Sequence, residues 1–248
     1  MHPPESGMKK ALVVGASGAT GILLVADLLN RNAEVTAIVR ASSSLQNTFE
    51  NHPNYREVSA SITEMTDTEL LPLLKDRDVV LSCLGHNLNF RGMFGEPRRL
   101  VTNTVEKLPR VLESLEPDEK VKLILMNTTG NSNRDIPEKP PLSQRFVVAI
   151  LRQLLPPHAD NEQAADFLRT DIGQSHLFIE WAAVRPDGLT DEVEVSEYDI
   201  HQSPTRNAIF NAGSTSRINV ASFMANLATD PELWEKWKGQ MPVIYNGS

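Results

Sequence analysis

The chain of 248 residues holds one cysteine, Cys83. A lone thiol excludes a disulfide framework and a cysteine-rich zinc site within the chain, and it suits a reducing, cytoplasmic setting. Long apolar runs are missing too. The longest, Phe146 to Leu155, is broken by Arg152 and Gln153 and falls short of the roughly 18 residues that a membrane span needs. Met1 to Gly7 has no basic region followed by an apolar one, so no signal peptide is read there. Positive charge is in deficit, with 24 Lys and Arg against 32 Asp and Glu and a formal net charge of −8. That balance speaks against bulk electrostatic binding to nucleic acid or to an anionic membrane surface. Metal-ligand clusters are lacking as well. Asp160, Glu162 and Asp166 are spaced for a charged, solvated helix face, and no histidine cluster accompanies them.

What is present is an ordinary globular composition, 40% hydrophobic and 23% charged, on a chain long enough for one large domain. The first half alternates strand and helix patterns. Lys10–Val14, Glu34–Val39, Tyr55–Ser59, Val79–Cys83 and Lys122–Met126 read as strands; Gly18–Arg31, Asp67–Lys75 and Pro97–Leu115 read as helices. Such alternation implies parallel pairing through crossovers, and runs apolar on both faces, such as Ala11 to Val14, suit a sheet covered on each side. The second half is less regular. It offers a proline-bearing loop over Asn131–Leu142, helices over Phe146–Leu154, Asn161–Arg169 and Val220–Asp230, and strands over Trp181–Arg185, stopped by Pro186, Ala208–Asn211 and Val243–Tyr245. Trp234 and Trp237 read as anchors of the C-terminal region. The expectation is a single α/β domain over residues 1–248. It is a Rossmann-type, doubly wound parallel sheet, with a small irregular C-terminal part from about residue 131 that shapes a substrate cleft.

The most informative motif is Gly15-Ala16-Ser17-Gly18-Ala19-Thr20-Gly21, placed between the first strand and the first helix. Gly15 allows the tight turn, Gly18 lets a pyrophosphate approach the backbone, and Gly21 lets helix and sheet pack closely. The helix N-terminus offers free N–H groups and partial positive charge to phosphates, and Ser17 and Thr20 add hydroxyl donors. The fingerprint for NAD puts an acidic residue about 20 positions further on, on the ribose 2′-hydroxyl. Here Arg40 stands there, 19 residues beyond Gly21, followed by Ser42, Ser43 and Ser44. An arginine pairs with a 2′-phosphate where a carboxylate would repel it. NADP(H) is the expected cofactor.

These segments resemble the atypical short-chain dehydrogenase/reductase superfamily, in its NAD(P)H-binding, NmrA-like and flavin-reductase-like branch. The resemblance covers nearly the whole chain. Beside the glycine motif it rests on Val39-Arg40, Asp78-Val79-Val80-Leu81-Ser82-Cys83-Leu84-Gly85, Asn127-Thr128-Thr129-Gly130, Ala183-Val184-Arg185-Pro186 and Ser216-Arg217-Ile218-Asn219-Val220-Ala221. It implies that Cys83, Leu84, Gly85 and His86 run under the adenosine ribose and diphosphate. It further implies that Asn127, Thr128 and Thr129 end the fifth strand where the substrate carbonyl is bonded, and that Arg185, Pro186 and Asp187 pass beside the nicotinamide. The Arg217–Ala221 segment is implied to be structural.

One departure stands out. Active members of the superfamily carry a tyrosine four residues before a lysine, because a phenol with a pKa of about 10 needs a neighbouring cation to ionise near neutrality. Four residues beyond Tyr55 and Tyr198 stand Ser59 and Gln202, and the chain ends three residues after Tyr245. His158 and Glu162 fall roughly where the pair would lie, and His158 also reads as a surface histidine before a helix start. Three uses of a bound nicotinamide remain: hydride transfer to a conjugated acceptor such as a flavin, quinone or tetrapyrrole, with a proton from water; transfer with His158 or His86 as general acid; and non-catalytic NADP(H) sensing with a protein partner. The leading expectation is an NADPH-dependent reductase, with Thr128 or Thr129 orienting the substrate. Phe90, Met93 and Phe94 are candidates for an apolar wall, Asn131–Leu142 for a lid, and Cys83 for a small buried residue at a strand end rather than a redox thiol.

Overall fold

Along β1 (Lys10–Val14) side chains alternate between two core layers: Ala11 and Val13 enter one, Leu12 and Val14 the other. A strand buried on both sides needs helices above and below, and the computed structural model supplies them. It describes residues 8–43, 45–86, 98–138, 156–207 and 211–247. After β1 come α1 (Ala19–Asn30), β2 (Glu34–Val39), the short α2 (Gln46–Phe49), β3 (Tyr55–Ser59), α3 (Asp67–Leu74), β4 (Val79–Ser82) and α4 (Leu100–Leu115). The order continues with β5 (Val121–Met126), α5 (Pro156–Phe167), β6 (Ile179–Pro186), β7 (Gly188–Thr190), β8 (Tyr198–His201), β9 (Ser214–Ser216), α6 (Arg217–Thr229), α7 (Pro231–Trp237) and β10 (Val243–Asn246).

Eight strands form one sheet in the order β3-β2-β1-β4-β5-β6-β10-β8, and β7 pairs with β9 in a separate two-stranded sheet. Every pairing in the large sheet is parallel except β10 with β8. The helices α1, α6 and α7 pack one face, with Trp234 and Trp237 buried there; α3, α4 and α5 pack the other. This is a Rossmann-like α/β fold. The strand order reverses between β1 and β4, and in open sheets of this kind ligands bind outside the carboxyl ends of the strands at that point.

Several boundaries differ from the sequence reading. β6 does end at Pro186, but it includes that residue: Arg185 N–H donates to the Pro242 carbonyl, and Pro186 is in register with Ile244. The antiparallel β8, the β7–β9 pair and α7 were not expected. They are short, and three of the four lie between residues 188 and 216, where no apolar period is long enough to mark them. Within the described residues the second-half helix spans Pro156–Phe167, so it already covers residues ahead of Asn161. It passes after Phe167 into a wider π turn over Leu168–Ile172. The expected helix over Phe146–Leu154 lies outside the described residues, as do Phe90, Met93, Phe94 and Ala208 to Phe210.

Candidate functional site

The turn after β1 is held by backbone contacts that tolerate no side chain at two of its glycines. Gly15 has φ of +73°, and a Cβ there would sit 2.6–2.7 Å from backbone atoms of Cys83 and Leu84. The turn is thereby pressed against the exit of β4. A Cβ at Gly21 would overlap the Gly15 carbonyl oxygen and come within 2.9 Å of the Ala16 backbone. Gly18 is different: its φ of −73° suits any residue, and a Cβ would meet only the Gly15 carbonyl oxygen at 3.3 Å and that of Cys83 at 4.0 Å.

Gly18 is also the N-cap of α1, and no side chain caps this helix or places a carboxylate in its first turn. Three other helices are served. A Thr66/Glu69 capping box closes α3, Ser216 caps α6, and Asp230 caps α7. An uncapped N-terminus at the switch point presents N–H groups and partial positive charge to an anion. Ser17 is half-buried beside it, Ala19 is exposed, and Thr20 is buried.

Arg40 lies just beyond β2, exposed, and the chain then folds into a short 3-10 turn in which Ser43 N–H donates to the Arg40 carbonyl at 2.8 Å. Ser42 is exposed in the same turn. Among the described residues the Arg40 guanidinium enters no hydrogen bond or ion pair. It is available to a ligand on the same edge as the glycine turn.

The exits of β4, β5 and β6 meet the start of α5. Cys83 N–H donates to the Val14 carbonyl at 2.9 Å, and burial pushes its thiol up to about 12, so it is an inert core group. Leu84 packs against the core and Gly85 is exposed. His86 Nε2 lies 2.7 Å from Asp160 Oδ2. Asn127 Nδ2 donates to the Asn161 carbonyl at 2.9 Å, and Asn127 Oδ1 accepts from Thr128 N–H and from the Asn131 side chain. Thr128 Oγ1 accepts from Gly130 N–H at 3.2 Å, while Thr129 is buried with its N–H on the Pro186 carbonyl. A Cβ on Gly130 would fall 3.2 Å from His158 Cε1, so the His158 ring packs on this loop. The candidates Asn127, Thr128, Thr129, His158 and Pro186 are thus neighbours. Cys83 to His86 and the glycine turn form a second group along the same edge, and Arg40 and Ser42 flank it at the end of β2.

Three segments make contacts that the sequence reading did not foresee. Asp160 is not on a solvated face: it is 1% exposed and receives Val101 N–H at 2.8 Å, Thr102 N–H at 2.9 Å and His86. Burial alone would raise its carboxyl, but the bonds from His86, Thr102 and Val101 outweigh it and hold the group below the ordinary value. The described part of the lid candidate, residues 131–138, is tied down. Arg185, fully buried, donates to the Asn131 carbonyl, to Met241 and Gln202 carbonyls and to the Glu138 carboxylate. Glu162 faces a cation from another loop, Arg134 at 2.7 Å, and Arg134 also binds Asp166. Asp160 and the Arg185–Glu138 pair were invisible to sequence reasoning. Their partners stand 47 to 74 residues away, and no local pattern signals them.

The tyrosines are engaged elsewhere. Tyr55 donates to Glu57 on the sheet-edge strand β3, Asn226 donates to the Tyr198 hydroxyl, and the Tyr245 ring lies 5.9 Å from His201. Among the described residues no group of three His, Cys, Asp or Glu side chains is arranged to hold a metal ion. No described helix is long and apolar enough to cross a membrane. The donor set of glycine turn, uncapped helix and unpaired arginine fits a dinucleotide.

The chain belongs to the NAD(P)H-binding family, whose model matches residues 15–231. No curated protein matches the sequence. Among solved structures it resembles an oxidoreductase from Lactococcus lactis (17% identity over 96% of this chain and 91% of that one, TM-score 0.66). It also resembles a wide-type short-chain dehydrogenase/reductase from Veillonella parvula in complex with NADP (14%, 97% and 95%, 0.65). A third likeness is to an anaerobillin reductase from Escherichia coli O157:H7 (15%, 97% and 98%, 0.65). At these identities the likeness is one of fold.

Proposed function

We propose that this protein binds NADPH in preference to NADH and reduces a small, planar, conjugated acceptor. The observation that carries the cofactor choice is Arg40: an exposed guanidinium without an ion pair among the described residues, at the strand end where NAD-binding relatives of this fold keep a carboxylate. In this reading the N–H groups of α1, with Ser17 and Thr20, hold the diphosphate, while Arg40 and Ser42 hold the 2′-phosphate. Cys83 to His86 and Asn127 line the nucleotide's path, and Pro186 flanks the nicotinamide end. A bound reduced nicotinamide supplies a hydride. Everything else falls to the chain: positioning the acceptor beside Thr128 and Thr129 and delivering a proton, with positioning alone worth about 7–11 kcal/mol in favourable cases.

The acceptor class follows from what the site does not hold. No tyrosine is followed four residues on by a lysine, and Glu162, near the expected lysine position, is paired with Arg134. Reduction of an isolated carbonyl without a positioned acid is slow. Conjugated systems such as flavins, quinones and tetrapyrroles delocalise the arriving charge and tolerate late protonation. The anaerobillin reductase among the structural neighbours makes a linear tetrapyrrole a natural first acceptor.

The test is NADPH oxidation followed by absorbance, with a flavin, a quinone and a linear tetrapyrrole offered in turn, alongside NADPH binding by fluorescence. Saturable turnover with one class supports the reductase and names its acceptor family. Tight NADPH binding with no turnover across all three would replace it with a sensing role toward a protein partner.

A further inference from the structure

We infer that the outer edge of β8, with residues 189–197 ahead of it, is a docking surface for a protein partner. Its occupant is an extended segment with lysine or arginine at alternate positions, which adds to the sheet as a further strand. None of the residues that form this surface is among those assigned above to the cofactor or the acceptor.

β8 ends the large sheet and has one neighbour in it, β10. Gly247 N–H donates to the Glu197 carbonyl at 2.7 Å, and further along Tyr245 and Val243 stand opposite Asp199 and His201. Backbone groups along an antiparallel strand face its partner and the far side by turns. Those of Glu197, Asp199 and His201 therefore face β10, and those of Tyr198 and Ile200 face away from it. Among the described residues no strand pairs with that far side. The side chains of Tyr198 and Ile200 pack on the core layer beneath α1 and α6. The Tyr198 ring lies 6.2 Å from that of Phe223, and its hydroxyl accepts from Asn226 at 2.9 Å. A joining strand thus meets an edge already held extended, and such an edge is a template for main-chain pairing.

The side chains around the edge select the strand that joins it. Five large apolar side chains are exposed among the described residues, and Leu189, Val193 and Val195 are three of them. Val193 is 95% exposed and Val195 51%. Residues 187–199 also hold Asp187, Asp191, Glu192, Glu194, Glu197 and Asp199, with no lysine or arginine. Three of these acids are occupied. Asp187 accepts Gly213 N–H, Asp191 pairs with Arg217, and Glu192 accepts from Asn226's neighbour in the fold, the Asn246 side chain, each at 2.8 Å. Glu194, Glu197 and Asp199 are exposed, and their carboxylates enter no ion pair or hydrogen bond among the described residues. Exposed valines alternating with a free carboxylate match a strand whose apolar and basic side chains alternate, since strand side chains repeat every second residue and opposite charges across a pair are favourable. A second copy of this chain would set acid against acid along the same edge, on a protein of net charge −8. Nucleic acid is repelled for the same reason.

The probe is a capped heptapeptide of alternating lysine and valine, titrated into the nitrogen-15-labelled full chain at low and at high salt. Saturable binding is expected with a Kd below about 1 mM at low salt, weaker at high salt, with the largest amide shifts at Tyr198 and Ile200. The same peptide N-methylated along its pairing edge keeps its charge but cannot complete the ladder, and it should bind at least about tenfold more weakly. Val193→Ser with Val195→Ser should weaken binding about threefold or more and leave the salt dependence in place. Glu194→Gln, Glu197→Gln and Asp199→Asn together should flatten it. All five side chains are exposed, so Tm should stay within about 2 °C of wild type. Equal binding of the N-methylated peptide would reduce the contact to charge alone and overturn the proposal. So would equal binding of a glutamate–valine peptide, or no binding of the lysine–valine peptide at about 1 mM. A wild-type dimer in sedimentation that Val193→Ser with Val195→Ser dissociates would give the edge to a second copy and equally refute it.

Discussion

Gly18→Ala separates what the fold needs from what a ligand needs. The native backbone there, φ −73° and ψ 161°, is open to alanine, and the new Cβ would press on one carbonyl oxygen at 3.3 Å, a contact relieved by a few tenths of an ångström. Alanine is a poorer N-cap than glycine by about 1 kcal/mol, and glycine's extra freedom in the unfolded chain returns roughly 0.4–1 kcal/mol of that. Net stability should change by less than about 1 kcal/mol, or roughly 2–4 °C in Tm for a chain of this size. Binding should suffer far more. A methyl group at the mouth of α1 holds a diphosphate away from the helix N–H groups, and each hydrogen bond to a charged group is worth about 1.5–3 kcal/mol. At about 1.4 kcal/mol per tenfold, losing one such bond raises the NADPH Kd by roughly 10- to 150-fold. The assay pairs fluorescence titration with thermal unfolding, and Gly21→Ala serves as the contrast. Its Cβ would overlap the Gly15 carbonyl, so it should cost more than about 3 kcal/mol of stability whatever it does to binding. A Gly18→Ala protein that binds NADPH within twofold of wild type would refute the placement of phosphate at this turn.

Other consequences follow from the buried polar groups. Glu138→Ala strands the fully buried Arg185 guanidinium without its carboxylate, at a cost of about 3–5 kcal/mol, so Tm should fall by roughly 6–20 °C by calorimetry. A fall under 2 °C would show that the carbonyls of Asn131, Met241 and Gln202 suffice. Asp160 is held below its ordinary value in the fold, so the stability it contributes is complete above about pH 4 and is lost as pH falls through the lower folded value. Denaturant unfolding from pH 6 to pH 2 should show a steeper acid loss in wild type than in Asp160→Asn; equal slopes would contradict this. Cys83, buried with its thiol pushed up to about 12, should resist alkylation in the folded protein at pH 8 and react promptly once unfolded.

The parts of this molecule that were legible in the sequence are those written by local rules. The strand–glycine–helix junction at Gly15 to Gly21, Arg40 at the end of β2, and the two-sided apolar runs of β1 and β4 each announce themselves within a few residues. The doubly wound sheet follows from them. Asp160 was misread because a charge pattern on a helix says which residues share a face, not which neighbour covers it. The first turn of α4, 58 and 59 residues earlier in the chain, covers this one. The tie at Glu138 was hidden for a related reason: prolines and polar residues marked a loop, but the arginine that holds it sits 47 residues on, inside β6. β8 escaped notice because a four-residue edge strand in an antiparallel pairing has too short a pattern to separate from a loop.

We propose that Arg40 reads a 2′-phosphate. Dissociation constants for NADPH and NADH, measured on wild type and on Arg40→Asp, test it most directly. Wild type should prefer NADPH by at least tenfold and Arg40→Asp should reverse the order, since a carboxylate there accepts from a ribose hydroxyl and repels a phosphate. An unchanged preference in the variant would contradict the role of Arg40 and, with it, the choice of cofactor.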